Sequence, residues 1–225
     1  VLDAVSGDRR LGTRIAGVAM DTFAASLIAV DAAGRALTPC LTYADSRSTG
    51  AVTALRAELD EHAVQQRTGT RLHTSYHAPR LRWLAATQPR VVADAAFWWS
   101  LGEYVFARLI GQPLAGTSTV AWTGLLDRRT GRLDPELLAA AGPAFDPGRF
   151  SAPRDTTQPV PDAAPAHRPT LARAAWFPVI TDGYASNIGS GATDATVLTA
   201  ATATSGALRV LLDGPADPLP SGLWN

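Results

Sequence analysis

The sequence predicts an α/β domain with one hairpin-rich part, and three observations carry that expectation. Short apolar runs of strand length alternate with longer segments whose apolar residues recur at helical spacing. A glycine turn at Ala32–Arg35 separates two strand-like runs and marks a hairpin. The chain has 225 residues, 46% of them hydrophobic and 18% charged, which suits one domain, or one and a fraction, around a buried core.

The elements follow in order. Arg14–Met20 and Ser26–Asp31 read as the first strands and Ala36–Thr42 as a third. Pro39 has no N–H to donate, so the third run belongs at an edge or a bulge. Val52, Leu55, Leu59 and Ala63 recur at helical spacing, which predicts one helix over 46–68 with Gly69 at its stop. Pro79, Leu81, Leu84 and Ala85 predict a second helix up to Pro89. Phe97–Trp99 reads as a short strand. Ser100 and Glu103 then make a capping-box pattern, since hydroxyl and carboxylate satisfy free amides at a helix start. That helix runs to Gly111. Leu125–Asp134 reads as strand and turn, and Pro135–Ala141 as a short helix. Residues 143–178 hold 8 of the 16 prolines and are expected to form a linker or an irregular surface excursion. Order returns with Pro178–Thr181, a helix around Asp182–Gly191 and a hairpin from Thr196 to Leu212.

Composition excludes several function classes. Twenty basic residues balance twenty acidic ones, so no net field gathers nucleic acid or anionic lipid. No run approaches the roughly 20 apolar residues of a membrane span. The chain contains no Lys, which excludes a Walker P-loop and Schiff-base chemistry. The single cysteine, Cys40, cannot form an internal disulfide, and a cytoplasmic location is expected. The opening residues lack a Met and the apolar stretch of a signal peptide. His62, His73, His77 and His167 form no metal pattern. Trp83, Trp98, Trp99 and Trp122 sit among apolar residues and are expected in the core.

Four segments could carry chemistry. Asp182 follows an apolar run and opens a helix-like segment; it could act as a general base or simply cap the helix. Gly183 beside it removes a side chain that would crowd a substrate. Gly189-Ser190-Gly191 could cradle an anion on backbone amides or end the helix. Tyr43–Arg47 follows a strand, where α/β sheets bind ligands. There Asp45 and Arg47 could hold sugar hydroxyls, or Asp45 or Ser46 could cap the next helix while Arg47 is solvated. Thr202–Val210 could present amides to a phosphate or be an ordinary tight hairpin.

In order, these segments resemble the FGGY family of carbohydrate kinases. AVDAAGRALTPCLTYADSRS resembles the family's hairpin and its W/Y-x-D-x-R element. WWSLGEYVFARLIG, TSTVAWTGLLDRRTGRLD, WFPVITDGYASNIGSGATD and TATSGALRV resemble its next four motifs, and the match spans about residues 10–224. The wording of TDGYASNIGSG and SGALRV is closer to gluconate- and xylulose-type members than to glycerol-type ones. The resemblance implies a ribonuclease H-like fold of the actin/hexokinase ATPase type, incomplete at its N-terminus. It places the major part of a sugar-binding domain in 1–213 and the start of a connection to an ATP-binding domain in 214–225. It implies transfer of the ATP γ-phosphoryl group, with Mg²⁺, to a hydroxyl of a sugar, polyol or sugar acid such as an aldonate. Asp182 becomes the candidate base. Tyr43, Asp45, Arg47 and Gly183 fall on the sugar side, and Thr204, Ser205 and Gly206 on the phosphate turn. No metal ligand is assigned.

The departures are specific. The family's Asp-x-Gly-Thr-Thr hairpin has no counterpart here. Ala203 replaces the first glycine of the phosphate turn, and Phe23-Ala24-Ala25 stands where the family often has a His or a bulky polar residue. These departures motivate an alternative: a truncated or pseudokinase fragment that binds a sugar or a partner and transfers nothing. The isolated chain, with an exposed sheet edge, is expected to dissolve poorly or form a homodimer.

Overall fold

The structure, a computed structural model, describes residues 2–12, 14–155, 160, 169–202, 206–214 and 216–224. It opens with two short helices that the sequence did not suggest, α1 (Leu2–Gly7) and α2 (Arg9–Gly12). The apolar run at 14–20 yields only β1 (Gly17–Val18), followed by β2 (Asp21–Thr22) and the fully buried β3 (Ile28–Val30).

The expected hairpin partner of β3 is present but broken. Leu27 and Leu41 exchange backbone bonds at 3.0 and 2.9 Å, and Leu37 N–H donates to Ala29 O. Between them Pro39 has no N–H to offer. The Ala29 N–H instead donates to the Thr38 hydroxyl at 3.1 Å. A side chain thus replaces a ladder bond, and Ala36–Thr42 carries two isolated bridges in place of a continuous strand.

The single helix expected over 46–68 is two, α3 (Thr49–Glu58) and α4 (Glu61–Thr68). Asp60 separates them: its backbone is extended and its carboxylate accepts from the His62 and Ala63 amides. A cap of this kind outweighs one more turn of periodicity. Next comes α5 (His77–Thr87), then α6 (Pro89–Asp94). Pro89 was read as the end of a helix, but it starts one, at a position whose amide has no intrahelical partner.

β4 (Phe97–Trp99) pairs antiparallel with β3 and feeds α7 (Leu101–Ile110). The capping box is formed as expected: the Glu103 N–H donates to Ser100 Oγ at 3.2 Å, and the Ser100 N–H to Glu103 Oε2 at 2.7 Å. Then follow α8 (Thr117–Ala121), the hairpin β5 (Leu126–Asp127) with β6 (Arg132–Leu133), and α9 (Pro135–Ala141). Two single 3₁₀ turns, Pro147–Arg149 and Pro169–Leu171, punctuate the proline-rich excursion. Beyond it lie β7 (Ala175–Trp176), β8 (Ile180–Thr181), α10 (Asp182–Gly189), and the hairpin of β9 (Thr199–Thr202) with β10 (Gly206–Arg209).

Two long-range parallel pairs organise the second half of the molecule. β1 pairs with β7 and β2 with β8, so Thr22 lies opposite Thr181. Helix α7 presses on this junction. A Cβ on Gly102 would lie 2.4 Å from Val179 Cγ1 and 2.8 Å from Thr22 Oγ1, so only glycine permits that approach. The main core gathers Leu27, Leu55, Leu81, Trp98 and Leu125. A second cluster of Phe106, Ile110, Trp176 and Val179 lies behind β8. Trp98 and Trp99 are buried as expected, while Trp83 and Trp122 are half-buried. The segment after 216 straps back onto α4: Gln66 bonds both the N–H and the carbonyl of Leu219, and Gln65 donates to Leu223 O.

Candidate functional site

Asp182 stands where β8 ends and α10 begins. The strand is held from the side by α8. Gly116 N–H and the Thr119 hydroxyl both donate to Val179 O, at 2.7 and 2.8 Å, and Thr181 N–H reaches Ser118 Oγ. The helix cap is Thr181, whose side chain makes no cap bond. The capping role considered for Asp182 is therefore not the one observed. Asp182 is exposed at the first helical position, and its Oδ1 accepts from the Gly183 N–H at 2.8 Å.

The anion cradle considered for Gly189-Ser190-Gly191 is corrected. The Ser190, Gly191 and Ala192 amides donate to the carbonyls of Ser186, Ile188 and Asn187. This is a helix stop, with its amides already used. Of the phosphate turn, Thr204, Ser205 and Ala203 lie outside the described residues; Gly206 opens β10 opposite Thr202. The space that Gly183 leaves open is occupied by Arg209. A Cβ there would lie 3.3 Å from Arg209 Nε and Nη2.

On the other side, Asp45 and Arg47 hold each other, at 2.6 Å for Nη2 to Oδ2 and 3.1 Å for Nε to either oxygen. The Arg47 hydrogen bonds keep the Asp45 carboxyl below the usual carboxylate range. Neither Asp45 nor Ser46 caps α3, whose N-cap is Ser48. The Arg47 guanidinium lies 4.5 Å over the Trp83 ring, so it is less free than a solvated residue. Tyr43 is exposed and meets Phe23 edge-to-face at 6.1 Å.

Arg80, not singled out in the sequence, and His77, singled out only as no part of a metal pattern, tie these parts together. Arg80 is 1% exposed and has no carboxylate partner among the described residues. Its Nη1 donates to Ala25 O at 2.6 Å, its Nε to Thr74 O at 2.8 Å, and its Nη2 to Thr42 O. Burial lowers its pKa to about 10, which leaves it a cation at neutral pH. It thus pins both the segment before Tyr43 and the carbonyl of Ala25. Ala25 has φ 55°, a left-handed conformation that costs a non-glycine residue about 1 kcal/mol or more. The clue was position: Arg80 lies three after His77 and four before Leu84, on the buried face of α5.

The second is His77. Phe23, Ala24, Ala25, Ser26, His77, Ser100, Thr119, Thr123 and Thr181 line a cavity of about 10 Å³ directly behind the Thr181–Asp182 corner. That is room for about one water or one hydroxyl. His77 Nδ1 and Thr181 Oγ1 are both buried without a hydrogen-bond partner among the described residues. Burial first, and the Arg80 cation second, push the His77 imidazole down to about 3. The unfolded chain therefore binds this proton first as pH falls. Stability drops from pH 6.5 toward 3, by up to about 1.4 kcal/mol per pH unit. His77→Asn should remove that slope. Urea unfolding of both proteins between pH 7 and 4.5 measures it, and parallel curves would refute it.

The comparisons with known proteins agree on one family. Residues 9–182 match the model of the FGGY family of carbohydrate kinases, N-terminal domain. The chain belongs to this family. FGGY relatives include a gluconokinase of Bacillus subtilis (strain 168), 28% identical over 90% of this chain and 40% of its own length. A rhamnulokinase of Yersinia pestis (strain Pestoides F) is 29% identical over 80% of this chain and 39% of its own. Among solved structures, the gluconate kinase from Lactobacillus acidophilus superposes with a TM-score of 0.82 at 25% identity, covering 96% of this chain and 45% of that one. The chain thus spans about two fifths of the length of these curated FGGY relatives. Among the described residues no helix is long and apolar enough to cross a membrane, and no three metal-ligating side chains gather.

Proposed function

We propose that the intact protein carrying this chain is an ATP-dependent carbohydrate kinase that phosphorylates a hydroxyl of a sugar, polyol or sugar acid. The family match supports this reading. So does Asp182, an exposed carboxylate at the strand–helix corner, with the cavity behind it and Arg209 over the next residue. In this reading the domain is of the ribonuclease H-like type. It fills 1–213, and 214–225 begins the link to an ATP-binding domain. Asp182 takes the proton of the acceptor hydroxyl. Tyr43, Asp45 and Arg47 line the approach, and the cytoplasm is the site of action. By their chemistry the Thr204 and Ser205 hydroxyls suit the ATP phosphates; Gly206 leaves the approach open, since a Cβ there would meet only Ala201 O at 3.8 Å. When bound, ATP supplies the γ-phosphoryl group and Mg²⁺ offsets its charge. Nothing in the structure favours the non-catalytic alternative.

The gluconokinase and rhamnulokinase relatives favour an aldonate or ketose acceptor. A coupled ADP-release assay on the intact protein, across pentuloses, hexuloses, polyols and aldonates, tests this. We expect acceptor-dependent ADP release with an aldonate or ketose. Release with no member of the panel would remove the kinase reading. The 225-residue chain alone should release none.

A further inference from the structure

The guanidinium of Arg209 lies against Gly183, one residue beyond Asp182. A Cβ on Gly183 would stand 3.3 Å from its Nε and Nη2 and 3.4 Å from its Cζ. Arg209 is half-buried on the inward side of β10, with Ala207, while Leu208 between them faces out. Its side chain makes no hydrogen bond or ion pair among the described residues, although Asp182 is next to its contact point. The Asp182 Oδ1 is engaged by the Gly183 N–H. Every other arginine that packs against the core here has its donors occupied at least in part. Arg80 bonds backbone carbonyls and Arg67 bonds Asp134, while Arg128 bonds Gln66 O through Nε alone and leaves both Nη groups without a hydrogen-bond partner. No Arg209 nitrogen is among the buried unpartnered atoms, so its N–H donors keep solvent contact and are open to an arriving acceptor. The chain has no Lys, so a cation at this corner must be an arginine, whose planar fork suits a bidentate oxyanion.

We propose that Arg209 binds an oxyanion beside Asp182. That oxyanion is either the phosphoryl group during transfer or the carboxylate of an acidic acceptor. Only this choice of anion rests on the kinase reading. In the transfer, the acceptor oxygen bonds to the γ-phosphorus as the bond to the β–γ bridging oxygen breaks. The acceptor proton goes to Asp182, and the guanidinium touches only non-bridging oxygens. Gly183 is then the residue that lets the cation approach.

The test has two arms. In the first, the intact protein is labelled with ¹⁵N-arginine and titrated with inorganic phosphate, an aldonate and the matching neutral polyol. The Arg209 Nε–H signal, assigned by its loss in Arg209→Lys, should move with phosphate or aldonate and not with polyol. In the second, Arg209→Met and Arg209→Lys are compared in the intact protein with acidic and neutral acceptors. A kcat lowered about 10²-fold for every acceptor identifies the phosphoryl group. A KM raised only for acids identifies the carboxylate. In both cases Lys should recover part of the loss. An unmoved signal together with unchanged kcat and KM in Arg209→Met overturns the proposal. If the wild-type protein phosphorylates nothing, the kinase reading falls, and the titration alone decides for or against Arg209.

Discussion

Asp182→Asn in the intact protein should lower turnover by about 10²–10⁴-fold, the range of a positioned general base, with little change in acceptor affinity. The substitution is close to isosteric. An Asn Oδ1 can still accept from the Gly183 N–H, the one hydrogen bond that the Asp182 side chain makes among the described residues. Helix α10 starts from Thr181, and the strand before it is held by Gly116, Ser118 and Thr119, so neither depends on the lost charge. What disappears is proton acceptance. A fall in kcat with a steady KM is the signature of a group acting mainly in the transition state. The coupled ADP assay reads both constants, and the thermal midpoint serves as a folding control. Turnover within a few-fold of wild type would remove Asp182 from the base role, even if other residues of the corner proved essential.

The corner was legible in part, and the reason is physical. Ser100 with Glu103, Gly69 and Gly111 act within one helical turn, so their pattern is complete in the local sequence. The same holds for the start of α10 at Asp182. The parallel pairs β1–β7 and β2–β8 join opposite ends of the chain and are two residues long, which leaves no periodicity to read. Asp60 was hidden because the apolar spacing continues across it while the backbone does not. Asp45 and Arg47 were read as two open groups, but the turn closes them on each other. Arg80 and Arg209 were missed for opposite reasons. An arginine is assumed to reach water; one of these is sealed among carbonyls, and the other reaches across to a distant glycine.

Arg80→Met should be the most destabilising single substitution near the site. Methionine fills a similar volume, so packing changes little. The loss is that the carbonyls of Ala25, Leu41, Thr42 and Thr74 face an apolar side chain. Each buried carbonyl left unpaired costs about 1–3 kcal/mol; Leu41 O keeps the Leu27 N–H and Thr42 O the Asp45 N–H, so the Ala25 and Thr74 carbonyls are the ones stranded. With two carbonyls stranded, a total of about 2 kcal/mol or more is expected after partial relaxation. The consequence extends beyond stability. The Ala25 backbone is held in the left-handed region with its carbonyl anchored on Arg80; released, it should relax and move Phe23–Ser26, which line the cavity behind Asp182. Arg80→Lys keeps the charge but offers one point donor in place of a fork spanning four carbonyls, so it should recover less than half of the loss. Urea unfolding midpoints at neutral pH for the three proteins measure this order. A methionine variant within 1 kcal/mol of wild type would mean that the carbonyls find water instead. Arg80 would then be a tolerated cation with no part in holding the corner together.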